Sequence, residues 1–452
     1  MPSITINEKD LTLGGGSSTE LNVVYVPGFV SKDNNAWPQV KAGEKQYKNF
    51  PGKRVPTLCS TIAEFEMYFG KSPLMLTSTD DDEGESAYPD KSYLYAKELI
   101  NLGLHVLYEA INDPSDSAEP KKQDMYDAMM EDLYGSDEKD ATPGLADKGE
   151  YSFKYLTSGG YPTFEVEDAD GDTSNSIVDK MIDLAANRGD CVAIIDHQDK
   201  PDMDLVGTDS VYTKVVDYIE DNVNAHYATM FTPWVNINCV KYNPPEDATS
   251  KSITFSMPPS YGYLAALAYS IKTNASWLAV AGATRGQIPN IYGDRPLNIT
   301  KRLTNSIAET VYQHRGGVSI NAITNIKPFG YRIWGNRTLK NNSGTGEENL
   351  TATSFLNTRN MISDIKKVIY AACKKYTFEQ NNDVLWLNFK SAIEPTLNQM
   401  KTGAGISGYK IIQESTTEKA KLVATVKLYP LYAVEDFEIS VQMLDDDEVK
   451  VS

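Results

Sequence analysis

The sequence predicts an α/β fold, α+β overall, with an outer α/β sheet domain followed by a smaller C-terminal α+β domain. Three observations carry this. Helical and strand-like segments alternate from residue 61 to residue 239, the rhythm of a sheet covered by helices. The last third changes to long helices followed by strands with period-two alternation. A chain of 452 residues also exceeds one core of ordinary size, so two or three domains, or one domain with insertions, are expected.

The elements follow in order. After a Gly/Ser break at 14–18, LNVVYVPGFV (21–30) is a β-branched and aromatic run ended by Pro27 and Gly28, which reads as a buried strand. TIAEFEMYFG (61–70) sets Ile62, Phe65 and Phe69 at helical spacing, with Gly70 as the stop. SYLYAKELINLGLHVLYEAI (92–111) gives a helix with Leu94, Leu99 and Leu102, a break at Gly103, and a strand over 104–111. Residues 112–175 become acidic and turn-rich, and read as a surface insertion with one short helix at 122–134. The pattern resumes with a helix at 176–190, the strand CVAIIDH (191–197), a helix at 209–224, the strand ATMFTPWVNINC (228–239) and a helix at 258–274.

In the last third, the helix predicted over 351–378 carries Ile362, Ile365, Ile369, Ala372 and Tyr376 on one stripe. At 100° per residue, Arg359, Lys366, Lys367 and Lys374 fall opposite it, as a solvated basic face or a contact surface. A second helix covers 385–402. KLVATVKLY (421–429) and DFEISVQML (436–444) alternate as half-buried strands.

Charge divides the chain. The formal net charge is -19, yet residues 326–430 hold 15 Lys and Arg against 8 Asp and Glu, a balance of +7 that leaves -26 on the remainder. An electrostatically two-sided molecule suits stacking with its own copies, or gripping an acidic partner with the basic side. The acidic excess argues against a general nucleic-acid binder. No apolar run is long enough for a membrane span, and the N-terminus lacks a signal-peptide pattern, so synthesis in a cytoplasm is expected. Cys59, Cys191, Cys239 and Cys373 are widely spaced and read as small buried residues, with neither a metal site nor a disulfide framework.

The chemical motifs are few. GAGISG (403–408) matches a dinucleotide-loop pattern literally, but a helix precedes it and a strand follows, so it reads as a helix-ending glycine loop. DADGD (168–172) has its glycine in the wrong place for a calcium loop, and DDDEGES (80–86) has no ligand spacing. His197 ends a predicted strand beside Asp196, which keeps an α/β hydrolase-like enzyme as a competing class. GYRIWGNRTL (330–339) joins two aromatic residues and two arginines between glycines. On its residues alone it is either a site for an anion, an aromatic ligand or nucleic acid, or a buried structural corner.

YRIWGNRTL (331–339) resembles the V/I-W-G-x-R-T-L signature of contractile tail sheath proteins. The helix beginning Phe355, Leu356, Asn357, Thr358, Arg359 follows at the family's distance, with Asn360 where a second arginine is usual. FEQNNDVLW (378–386), the segments VVYVPGFV and STIAEFEMYFG, and PPSYGYLAALAYSIKTNASWLAVAGATRGQI (258–288) are similar to further family segments in the same order. Lys272, Thr273 and Asn274 replace the family's aspartate at that last helix end.

The resemblance spans about residue 20 to the C-terminus, except 112–175. It implies a non-enzymatic virion protein, without cofactors, that polymerises as stacked hexameric rings or a helix around a tail tube. Its partners would be its own copies, the tube protein, and baseplate and tail terminator proteins, with no direct nucleic-acid contact and no membrane insertion. A phage-like injection or secretion sheath is the alternative within the family. The implied organisation is an N-terminal arm (1–20), an outer domain (21–324) and an inner domain (325–452) lining the tube. The arm would exchange a strand through Ile4 and Ile6, and the C-terminal strand would do so through Phe437, Ile439 and Val441. Tyr331 and Trp334 would anchor the inner core. Arg332 and Arg337 would fix neighbouring segments, with Gly335 and Leu339 completing the motif. Arg359, Lys366, Lys367 and Lys374 would contact the tube or a neighbour.

Overall fold

The computed structural model describes residues 22–30, 56–69, 74–77, 86–89, 91–112, 144–164, 176–199, 206–207, 210–242, 251–289, 298–312, 317–343 and 350–435. In chain order the elements are β1 (Val23–Val30), β2 (Thr57–Cys59), α1 (Ile62–Phe69), β3 (Leu74–Thr77), β4 (Ser86–Pro89), α2 (Lys91–Leu102), β5 (His105–Asn112) and β6 (Tyr155–Leu156). Next come α3 (Ser176–Arg188), β7 (Val192–Ile195), α4 (Val211–Ile219), β8 (Ala228–Thr232), β9 (Val235–Tyr242), β10 (Lys251–Met257), α5 (Pro259–Ser270), α6 (Gly282–Arg285), β11 (Asn298–Ile299) and α7 (Asn305–Tyr312). The remainder is β12 (Asn321–Ile326), β13 (Gly330–Trp334), α8 (Leu356–Tyr376), α9 (Asp383–Thr402), β14 (Ile406–Glu414) and β15 (Val423–Pro430).

Local sequence starts and stops these helices. Thr61 and Glu64 form a reciprocal capping box at α1, each side chain bonded to the other's backbone N–H at 3.2 Å. Ser210 and Asn382 accept from the backbone of Thr213 (3.1 Å) and Leu385 (2.9 Å) to cap α4 and α9.

An eight-stranded sheet in the order β13-β12-β8-β7-β6-β1-β5-β2 forms the body. Its six inner strands are parallel, and β2 and β13 close the two edges antiparallel. Alternate side chains feed two cores, as strand geometry requires. Tyr25, Ala193, Ile195 and Met230 pack under α3, α4 and α7, while Val24, Val26, Val192, Ile194 and Phe231 pack under α1, α2 and α5. The predicted α/β body is therefore present, with both faces of its parallel sheet covered.

The smaller C-terminal unit packs α8 and α9 against the two-stranded β14–β15 sheet. The predicted stripe faces inward: Ile362, Ile365 and Ala372 are buried, while Ile369 and Tyr376 are half-buried against the same clusters. GAGISG is the predicted helix end, and its glycines have a packing reason. The indole N–H of Trp277 donates to the Gly403 carbonyl at 2.9 Å. A Cβ on Gly403 or Gly405 would lie only 2.4 or 2.7 Å from the Trp277 ring.

Three expectations need correction. Residues 144–164, read as part of a surface insertion, feed the core from 153 onward, with Phe153 and Phe164 buried, Tyr151 buried before them and β6 inserted between β1 and β7. The acidic run before them hid a two-residue strand too short to show alternation; 113–143, with the helix expected at 122–134, and 165–175 lie outside the described residues. The single strand expected over 228–239 is two strands in different sheets, because Pro233 has no N–H with which to continue the ladder. The boundary expected at 325 falls inside β12, so GYRIW is an edge strand of the large sheet and not part of a separate inner unit.

Candidate functional site

GYRIWGNRTL is a junction where three parts of the chain meet. Ile333 is buried and pairs with Ile323 of β12. Tyr331 packs against the core below α5 and donates to Asn298 Oδ1 at 3.3 Å. Arg332 is buried and donates through Nε to the Ala283 carbonyl of α6 at 2.9 Å, so its guanidinium ties the sheet edge to a neighbouring segment. Trp334 differs from the expectation: it is 43% exposed and anchors no core. As an edge-strand residue after buried Ile333 it points the other way, into solvent.

Beyond the strand, Gly335 packs against Asn321, where a Cβ would meet side chain and backbone within 2.9 Å. Asn321 Oδ1 accepts from the Arg337 N–H at 2.8 Å, and its Nδ2 donates to the Arg337 carbonyl at 2.9 Å. Asn336 and Asn357 exchange two bonds, of 2.8 and 3.1 Å, which set the start of α8. Leu339 is fully buried, and its N–H donates to the Ala228 carbonyl at 2.9 Å. Arg337 stacks on Phe355 (4.8 Å to the ring centroid) and Tyr312 (5.7 Å), and donates to the Glu435 carboxylate through Nε at 3.1 Å and also through Nη2.

Helix α8 drives its first half into the body: every residue from Leu356 to Ile365 is buried. The basic face expected here is mostly internal. Arg359 is 0% exposed and lies 4.2 Å over the Tyr227 ring. Lys366, half-buried, donates to the same tyrosine's hydroxyl at 3.3 Å and seats against Gly189. Lys367 donates its ammonium to the Phe153 carbonyl, and burial pushes its pKa down to about 8 against the pull of Asp190. Lys374 alone of the four is exposed. Helical projection separates two faces but cannot tell solvent from a second packing partner, here β7 and the 144–164 segment.

One attachment of α8 is a buried ion pair that sequence reasoning missed. Lys154 and Asp364 meet at 2.8 Å with both side chains 0% exposed. Ser276 also donates to Asp364, at 3.4 Å. Lys154 sat in the stretch read as an insertion, so nothing in the local pattern paired it with a residue 210 positions away.

His197 is held by two neighbouring oxygens. Its Nε2 lies 3.0 Å from Thr232 Oγ1 and its Nδ1 2.7 Å from the Gln198 carbonyl. Asp196 turns the other way to accept from the Ser260 N–H (3.0 Å) and Oγ (2.6 Å) at the start of α5, and burial pushes its carboxyl up to about 7. Among the described residues no cluster of His, Cys, Asp and Glu could hold a metal ion, and no helix is long and apolar enough to cross a membrane. Ile4, Ile6, Phe437, Ile439 and Val441, the expected exchange positions, lie outside the described residues, as does DADGD.

The fold is shared with known assemblies. The sheath complex of an extracellular contractile injection system, PVC, in its contracted state matches over 99% of this chain and 98% of its own, with a TM-score of 0.57 and 14% identity. The chain has the fold of a contractile sheath subunit. The helical sheath of the anti-feeding prophage in its contracted state gives a TM-score of 0.53 at 14% identity, covering 98% of this chain and 99% of that one. A chain of the six-fold symmetrised baseplate of the same prophage gives 0.54 with the same coverage.

In sequence, the tail sheath protein of Vibrio phage KVP40 is 24% identical over 166 residues, which is 36% of this chain and 22% of that protein. No protein-family model matches the sequence. Within the subunit, Arg332, Arg337, Gly335 and Leu339 hold neighbouring segments together, whereas Trp334 is exposed and Arg359 and Lys367 are turned into the body.

Proposed function

We propose that the chain is a structural sheath subunit of a contractile-tailed bacteriophage, polymerising around a tail tube and contracting to drive it through an envelope. The observation that carries this reading is the end-to-end match to sheaths of two contractile systems, which takes in the body and the C-terminal unit together. The local sequence likeness to a phage tail sheath protein favours a phage tail over an injection system.

Subunits would be joined through terminal strands added to a neighbour's sheet, SITIN (3–7) at one end and DFEISVQML (436–444) at the other. The two-stranded β14–β15 sheet supports this, since such a sheet is marginal alone and offers an edge on either side. Contraction would release free energy by burying more surface between subunits and by matching the +7 region to acidic surface on a neighbour. The tube, the baseplate and the tail terminator are the partners this reading implies, with the virion as its location.

Sedimentation velocity tests it. The full chain should form species far larger than the 50.1 kDa subunit, and a variant ending at Glu435 should remain a single subunit. A full chain that sediments only as one 50.1 kDa species would overturn the reading.

A further inference from the structure

Beyond Pro430, where β15 ends, the chain makes one more bond to its hairpin partner before turning to the body. Leu431 donates its N–H to the Gly405 carbonyl at 3.0 Å, and Tyr432 lays its ring 5.2 Å from that of Phe355. Glu435 then docks on the body, where Arg337 binds one carboxylate oxygen and the Tyr312 hydroxyl donates to the other. Both charged side chains are more than four-fifths buried, and the Phe355 and Tyr312 rings flank the guanidinium. The residues that hold Glu435 belong to α7 and to the loop after β13, both built on the large sheet. The small β14–β15 sheet ends at Pro430, a few residues before Glu435. The C-terminal segment 436–452 begins at the next residue.

We propose that Arg337, Tyr312 and Glu435 form a clasp that takes force arriving along the C-terminal segment and passes it to the eight-stranded body. This rests on the reading that residues 436–452 join one subunit to the next. Without the clasp, tension on that segment would reach the last residues of β15 and peel its bonds to β14 one at a time. With it, the pull must first separate a two-bond charged contact and a hydroxyl bond acting together, and these are roughly twice as strong as neutral bonds. The clasp also fixes where the segment leaves the body, so the arm starts from the same place in every subunit.

Glu435→Gln and Tyr312→Phe in the full chain test this while leaving Arg337 and its stacking in place. Hydrogen exchange on unassembled subunits should rise at Leu431 by about tenfold or more, the factor expected from losing one charge-assisted bond, and should stay unchanged in β7. Polymers of either variant should break into shorter lengths under shear that leaves the parent intact. Unchanged exchange at Leu431 overturns the clasp, and faster exchange with undiminished shear resistance overturns its force-carrying role. A parent chain that forms no polymer counts against the proposed function and against the force-carrying role with it, while the exchange result still decides whether the clasp exists.

Discussion

Lys154 and Asp364 form a fully buried ion pair, 2.8 Å apart, that ties the helix after the signature motif to the strand segment in the middle of the large sheet. Removing one partner leaves a charge stranded in a dry site. Lys154→Met should therefore lower unfolding stability by about 3–5 kcal/mol. The double variant Lys154→Met with Asp364→Leu should recover most of the loss, as apolar replacements of buried pairs often do. Urea unfolding of the two variants, with soluble subunit as the starting material, checks both expectations.

The basic residues of α8 separate into internal and external ones. Lys367→Glu should destabilise the subunit by about 3 kcal/mol or more, because the new carboxylate would face Asp190 and the Phe153 carbonyl in a buried setting. Lys374→Glu, on the exposed turn, should change stability by less than about 0.5 kcal/mol and leave any effect to assembly. Circular-dichroism melts distinguish the two.

Glu98 gives a pH signature. It is buried on α2, and burial pushes its carboxyl from 4.5 up to about 7, opposed by Lys97 and Asn101. The folded state thus binds its proton more tightly than the unfolded state. Its favourable contribution is complete below pH 4.5 and is lost as pH rises through about 7. Glu98→Gln should be more stable than the parent above pH 7, by at most about 3 kcal/mol, and the difference should vanish near pH 4.5. Melting temperatures at four or five pH values give this difference directly.

The seat of Trp277 is sensitive to a single methyl group. In Gly405→Ala the new Cβ would sit 2.7 Å from the indole ring, and a loss of about 1–3 kcal/mol is expected from overpacking. Denaturant titration measures it, and a neutral outcome would show that the ring can move aside.

Much of this fold is legible in the sequence because its signals are local. Ile62, Phe65 and Phe69 announce α1, Gly103 ends α2, and the stripe from Ile362 to Tyr376 gives the inward face of α8. What sequence hides is set by distance and depth. β6 is two residues long and has no periodicity to read. Arg359 and Lys367 look like a solvent face because charge usually means solvent, whereas here Tyr227 and the Phe153 carbonyl receive them. Trp334 looks like a core anchor because it is large and apolar, but strand alternation places buried Ile333 inside and leaves Trp334 out. Lys154 with Asp364, and Arg337 with Glu435, join residues 210 and 98 positions apart, beyond the reach of any spacing argument.

Electron microscopy of the purified chain tests the central claim most directly. The account predicts hollow tubes or stacked rings whose subunits carry the large sheet outside and the β14–β15 sheet toward the lumen. A field of discrete particles the size of one subunit would contradict it.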